Sequence, residues 1–282
     1  MKSTLMIFAM TGFFLTLWGF LPDVHRSAIS IALLRPLTGL MCLLGIIAER
    51  RWAKLTFAAV GLTALGSVAL HALPGKPGED LRIYSKNLLD ANTEMVAIAE
   101  DIRGAGADVV MLQELVEENA HILALLSETF PHQHVCRYSG KKRIAVLSRA
   151  PMTNERVCSQ NRSMAGARIK VAGKPVWIVS VHVPYPWPAG TPETVAELRG
   201  MLEALEGSVV VSGDFNAFPW TGRVQDIVRA TNTKLAGPMR RSYVLFGLPL
   251  PIDHVLAPGG GRTKLRPRLG SDHWGLLADV TL

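Results

Sequence analysis

Acidic side chains are nearly missing from the first 78 residues. Asp23 and Glu49 are the only two there, and the other 21 of the 23 lie beyond. Seven of the 30 Lys and Arg fall in the same stretch, which carries +5 against +2 for the rest of the 282-residue chain. A net charge of +7 concentrated where acids are absent is a weak argument for a nucleic-acid partner. Cysteine is also scarce. There are three, Cys42, Cys136 and Cys158, and no Cys/His cluster has zinc-site spacing, which argues against a zinc module. No internal repeat is visible.

What fills the acid-poor part is apolar. Residues 4–21 are uncharged, residues 28–48 are interrupted only by Arg35 and Pro36, and residues 55–73 hold one histidine, His71, and no other charge. Each run is about long enough to cross a hydrocarbon core of about 30 Å as a helix. Three transmembrane helices are therefore expected (about 4–21, 28–48 and 55–73), giving a membrane anchor over residues 1–78 that ends in the linker Pro74-Gly75-Lys76-Pro77-Gly78. Lys2 is a thin basic region and no small-x-small site comes before Pro22, which speaks against a cleaved signal peptide. Arg35 is expected to snorkel towards the loop after the first span.

Glu49-Arg50-Arg51-Trp52-Ala53-Lys54 carries three basic residues, against one in residues 22–27. By the positive-inside rule the second loop and the N-terminus are cytoplasmic, and everything after Leu73 is outside. The expectation is a protein of the bacterial inner-membrane type with an extracytoplasmic domain over residues 79–282. In that oxidising compartment Cys136 and Cys158 are expected to form a disulfide. Cys42 reads as small apolar filling of a span.

From Asp80 onward strands and helices alternate. Strands are expected at 81–85, 108–114, 142–148, 168–171, 176–183, 209–212, 252–256 and 276–282, and helices at 93–104, 119–130 and 193–206. The stretch Val209-Val210-Val211-Ser212-Gly213-Asp214-Phe215-Asn216 organises the rest. Three β-branched residues make a buried strand, Gly213 permits a sharp turn, and Asp214 and Asn216 then project to one side. Asn87, Glu114 and His182 also fall where an apolar strand stops, Asp253 lies within a short strand, and Asp272 and His273 precede the last one. In a layered α/β protein such strand ends gather at one edge, where ligand sites form.

The resemblance these residues carry is to the endonuclease/exonuclease/phosphatase superfamily. It rests on Asn87, Leu112-Gln113-Glu114, Leu147-Ser148-Arg149-Ala150-Pro151, Val181-His182, Gly213-Asp214-Phe215-Asn216, Ile252-Asp253-His254 and Gly270-Ser271-Asp272-His273. It covers the whole part from Leu81 to Leu282. The fold it implies is a four-layer α/β sandwich, two β-sheets packed face to face with helices outside, here preceded by the three spans. The activity it implies is divalent-metal-dependent phosphoester hydrolysis. Asn87, Glu114 and Asp272 are the implied ligands of Mg2+ or Mn2+, a hard cation suited to oxygen donors. Asp214 would orient or deprotonate water, Asn216 would hold a phosphate oxygen, and His273 would contact the phosphate with its tautomer set by Asp253. His182 would donate to phosphate or leaving group, and His254 reads as structural.

The sequence departs from the pancreatic-type nucleases at Gly140-Lys141-Lys142-Arg143, where no acid is present to support His182. Basic residues are dense from Arg137 to Lys174, which suits a polynucleotide or anionic lipid head groups. The loops Pro184-Tyr185-Pro186-Trp187-Pro188 and Phe218-Pro219-Trp220 offer aromatics for stacking on a base or lining a lipid pocket. The reading is a membrane-anchored phosphodiesterase or nuclease. Its partners are a phosphoester substrate (nucleic acid, or lipid or sugar phosphate) and membrane lipids, and no protein partner is expected. The alternatives are a lipid or sugar-phosphate phosphatase and a non-catalytic membrane-bound binding module.

Overall fold

The computed structural model describes residues 1–21, 26–137, 142–160, 164–185 and 192–282. They divide into two units, Met1–Leu73 with Trp220–Gln225, and Pro74–Pro219 with Asp226–Leu282.

The first unit contains α1 (Lys2–Gly19), α2 (Arg26–Leu33), α3 (Arg35–Leu43) and α4 (Arg51–Ala69), with 3-10 turns at Leu44–Ile47 and Leu70–Ala72. The second apolar run is not one helix. Leu34 leaves the helical region at φ −87° and ψ 7°, and Pro36 opens α3 in the first turn, where its missing N–H leaves no bond unmade. Among the described residues one helix, Arg51–Ala72, is long and apolar enough to cross a membrane, so three continuous spanning helices are not supported. Residues 22–25 of the loop compared for charge lie outside the described residues. At Gly61 an added Cβ would stand 2.9 Å from the Gly39 carbonyl oxygen, so α3 and α4 approach as closely as small residues allow.

Arg35 does not snorkel. It is buried and donates to the Gly19 and Trp220 carbonyls, both at 3.1 Å, with its guanidinium 4.1 Å from the Phe20 ring centre. Gly19 ends α1, so its carbonyl has no partner within the helix and accepts the cation instead. Trp220 Nε1 in turn donates to Ala32 O at 2.8 Å. Cys42 is a buried free thiol.

The second unit runs β1 (Leu81–Asn87), α5 (Met95–Gly104), β2 (Val109–Leu115), α6 (Ile122–Leu126), β3 (His132–Arg137), β4 (Arg143–Ser148) and β5 (Met152–Cys158). It continues with β6 (Met164–Val171), β7 (Lys174–His182), α7 (Pro192–Glu203), β8 (Ser208–Asp214) and α8 (Gly222–Ala230), whose first residues, up to Gln225, belong to the first unit. The last part is β9 (Lys234–Gly237), β10 (Tyr243–Leu245), β11 (Leu248–Leu250), β12 (Asp253–Ala257), β13 (Gly261–Arg266) and β14 (Gly275–Val280).

Twelve strands form one ladder in the order β3-β4-β2-β1-β14-β13-β9-β12-β8-β7-β6-β5. The sheets expected as two packed layers are continuous here: β9 pairs in parallel with β13 and antiparallel with β12, and so joins the halves into one large, nearly closed sheet. The halves face each other across one buried cluster that includes Ile83, Met111 and Val146 from one side and Ala167, Ile178 and Val210 from the other. Each large apolar side chain buried there contributes about 1.5–3 kcal/mol. Outside the first half, Met95, Ile98 and Ile102 of α5 and Ile122 and Leu126 of α6 pack on Tyr84, Val110, Leu112 and Leu147. The two ends of the ladder, β3 and β5, are linked by the Cys136–Cys158 disulfide.

Candidate active site

Register brings the strand ends together. In the parallel pair β1–β2, Asn87 lies opposite Gln113, next to Glu114. In the parallel pair β7–β8, His182 lies opposite Asp214, and β12 comes back antiparallel with Asp253 opposite Asp214. The loop before β14 adds Asp272 and His273. Gly213 is needed for close approach rather than for a turn. The strand continues through it at φ +148°, and an added Cβ would stand 1.9 Å from Val181 O of the neighbouring strand.

Asn87 Nδ2 donates to Glu114 Oε1 at 3.0 Å and to Asp214 Oδ2 at 3.1 Å, holding two carboxylates against one amide. Its Oδ1 accepts from Leu89 N. Asp214 Oδ1 accepts from Asn216 N at 2.8 Å, and Asn216 Nδ2 donates to Asp214 Oδ2 and Val183 O. Asn216 therefore reaches Asp214 by folding back, at φ +47°, and not by extending the strand. Glu114 also lies in the left-handed region, at φ +56°, a conformation such residues keep only where their surroundings enforce it.

His182 Nε2 stands 3.5 Å from Glu114 Oε1 and 3.6 Å from Asp214 Oδ2. His273 Nδ1 bonds Asp253 Oδ2 at 2.8 Å, and its Nε2 stands 3.7 Å from Asp214 Oδ2. His254 is elsewhere: its ring packs on Phe215 and its Nε2 bonds Ala217 O. The segment 140–141, where an acid is missing, and residues 186–188 of the aromatic loop lie outside the described residues. Lys142 pairs with Asp90 at 2.8 Å.

Burial pushes the Asp214 carboxyl up to about 6, against the pull of His273 and His182. Burial acts to lower His273 too, but Asp253 and Asp214 outweigh it and raise the imidazole to about 9. Burial likewise opposes the Asp253 charge, yet His273 and Ser242 hold that carboxyl below its ordinary value. The result at neutral pH is an imidazolium buried between carboxylates, ready to give a proton or a hydrogen bond to an anion.

Several partners were not legible in the sequence. Lys86 is buried, and its three donors go to the carbonyls of Pro267, Arg268 and His273. Burial pushes the amine down to about 8. Ser271 Oγ donates to Asn87 O and accepts from His273 N. Together they fasten the Asp272–His273 loop to β1. The Tyr243 ring lies 4.7 Å from that of His273. The one available signal was a lysine inside an otherwise buried strand.

The donors fit a hard divalent cation. Ligand atoms of Glu114, His182 and Asp214 lie within 4.8 Å of one another, and Asp272 Oδ1 is buried with no hydrogen-bond partner. A buried carboxylate oxygen left unpaired is costly unless a cation or water meets it. Glu114 and Asp214 carry the charge such an ion needs, and Asn87 orients both carboxylates, while Asp272 is not among these clustered ligand atoms.

A sequence profile of the Endonuclease/Exonuclease/phosphatase family matches residues 81–273. No curated protein matches the sequence. Among solved structures, an endonuclease/exonuclease/phosphatase family protein from Leptotrichia buccalis is similar at 15% identity and TM-score 0.59, over 72% of this chain and 100% of that one. TDP2 of D. rerio, complexed with single-strand DNA product, is similar at 17% identity and TM-score 0.56, over 70% and 97%. Beta toxin from Staphylococcus aureus (a double mutant with bound magnesium ions) is similar at 14% identity and TM-score 0.52, over 72% and 100%. At these identities the likeness is one of fold.

Proposed function

This chain belongs to the endonuclease/exonuclease/phosphatase family, and from that premise we propose that it is a divalent-metal-dependent phosphodiesterase or nuclease, held at a membrane with its second unit outside the cytoplasm. The observation that carries the chemistry is the buried run Asp253–His273–Asp214 beside the carboxylate of Glu114 and the imidazole of His182. Glu114 and Asp272, with Asn87 beside them, would hold Mg2+ or Mn2+, which would supply charge neutralisation to the phosphoester. Asp214 accepts the proton of the attacking water. Asn216 and Asn87 keep that carboxylate turned into the site. His273, charged and fixed by Asp253, donates to a phosphoryl oxygen, and His182 donates to phosphate or leaving oxygen.

The membrane reading rests on the first unit's surface. Its helices expose Ile7, Phe14, Leu37, Leu55, Leu62 and Leu70, each more than half accessible, an apolar area that water-facing helices do not carry. α4 begins at Arg51 beside Arg50 and Lys54, so the positive-inside rule leaves Pro74 and the chain beyond it outside. The disulfide suits that side.

Hydrolysis of an aryl phosphodiester with Mg2+ or Mn2+, lost in Glu114→Ala and His273→Ala, tests the chemistry. Undiminished turnover in either variant would sink it. Protease protection in intact and permeabilised cells tests the side of the membrane.

A further inference from the structure

Strand β2 carries one residue too many where it reaches the site. Leu112 lies opposite Ala145 of β4 and Leu115 opposite Arg143, so Gln113 and Glu114 together face Ile144. This is a β-bulge, which bends a strand and re-aims a side chain. Where a bulge places a residue in the left-handed region, that residue is ordinarily glycine, which has no Cβ to oppose it. Here Glu114 takes the left-handed conformation, at φ +56°. Leu89, in the loop after β1, is left-handed as well, at φ +63°. Two residues with full side chains hold this conformation beside one carboxylate, so something outside them must keep them there.

One side chain bonds to both. Asn119 is fully buried in the turn ahead of α6. Its Oδ1 accepts from Val116 N at 2.8 Å, and its Nδ2 donates to Glu114 O at 3.0 Å and to Leu89 O at 3.3 Å. A carboxamide can do this because it offers acceptor and donors together. Leu89 N in turn donates to Asn87 Oδ1, which leaves Asn87 Nδ2 turned to Glu114 and Asp214. Asn119 is itself fixed: its carbonyl accepts from Ile122 N, and Ile122 is buried in the cluster that holds Leu112. A buried asparagine ahead of a helix often serves only its own turn. That accounts for the bond to Val116 but not for the one to Leu89, 30 residues away in sequence.

We propose that Asn119 is a positioning residue for the metal site: it locks the Glu114 bulge and the Leu89 turn in their left-handed state, and so aims the Glu114 carboxylate at the cation. This rests on the hydrolase reading above. Asn119 touches no reacting atom and acts through the backbone of Glu114 and Leu89.

The test uses the full chain in detergent, without substrate, and reads Mn2+ binding from the electron spin resonance of the free ion. Asn119→Ala should weaken Mn2+ binding by about 10–100-fold, as loss of a group behind a metal ligand does. Ile98→Ala, a buried variant on α5, should lower the unfolding midpoint and leave Mn2+ binding as in the native chain. Equal affinity in Asn119→Ala and the native chain, or an equal loss in Ile98→Ala, overturns the proposal. Asn119→Asp has nearly the same shape but no donor for Glu114 O and Leu89 O. Its added negative charge would by itself tighten the hold on a cation, so weaker Mn2+ binding there reports the lost donors. Unchanged or tighter binding in Asn119→Asp overturns the proposal. In the metal-free chain, hydrogen exchange at the Val116 amide should quicken in Asn119→Ala by more than the change in global stability accounts for, and exchange that does not overturns the proposal. If the native chain binds no Mn2+, the hydrolase reading fails, while the exchange still decides whether Asn119 holds the bulge.

Discussion

The two sides of the active site are built differently. On one side Asp253 and His273 are about 5% exposed and joined at 2.8 Å, with Asp214 next in line. On the other, Glu114 and His182 have side chains 17% and 19% exposed and stand 3.5 Å apart. The first side is dry and already satisfied by protein groups. The second is wetter and looser. The contrast separates what the fold must hold fixed from what it leaves for a cation and a substrate to complete.

Variants on the dry side should therefore damage both stability and turnover, and variants on the open side turnover alone. Asp253→Asn is expected to lower kcat by about 10²–10⁴-fold and to cost about 3–5 kcal/mol, because it strands a buried imidazole. Steady-state kinetics and denaturant unfolding check both halves. A loss of turnover without loss of stability would dissolve the distinction.

Glu114→Gln should lower kcat by about 10²-fold with the unfolding midpoint unchanged or raised, and should shift the Mg2+ requirement upward. A metal titration reads this directly. Loss of fold in Glu114→Gln would mean that the open side is structural as well.

Lys86→Met should lower kcat by about tenfold by freeing the loop that carries His273, without altering the Mg2+ requirement. Lys86→Arg is the control for charge. Equal Mg2+ shifts in Lys86→Met and Glu114→Gln would place Lys86 with the cation instead of the loop.

The smallest effect is a slope. The raised value of His273, about 9 against its ordinary 6.5, means that its contribution to stability is complete below pH 6.5 and is lost as pH climbs through 9. With metal removed by chelation, the unfolding midpoint of the native chain should fall over that window, and His273→Gln should flatten the fall. An unchanged slope would mean that the imidazole is neutral in the folded chain.

Much of the site was readable from sequence because each member follows an apolar strand. Val209-Val210-Val211 announces Asp214, and Met111-Leu112 announces Glu114, because β-branched and apolar runs specify buried strands whose ends must stop somewhere polar. Strands β9, β10, β11 and β13 gave no such signal. They are three to six residues long, and pairing partners far along the chain, not local pattern, make them strands. Lys86 and Ser271 escaped for the same reason, since their meaning lies in carbonyls and amides remote in sequence. The second apolar run misled through composition: hydropathy registers Arg35-Pro36 as a small interruption, whereas Pro36 resets the helix.

The link between β3 and β5 reaches beyond stability. An open sheet of this length would offer two unsatisfied borders, each a template on which another chain could lay its own backbone. With Cys136 and Cys158 joined, the borders guard each other, and reductant should turn a dispersed protein into one that self-associates before it unfolds.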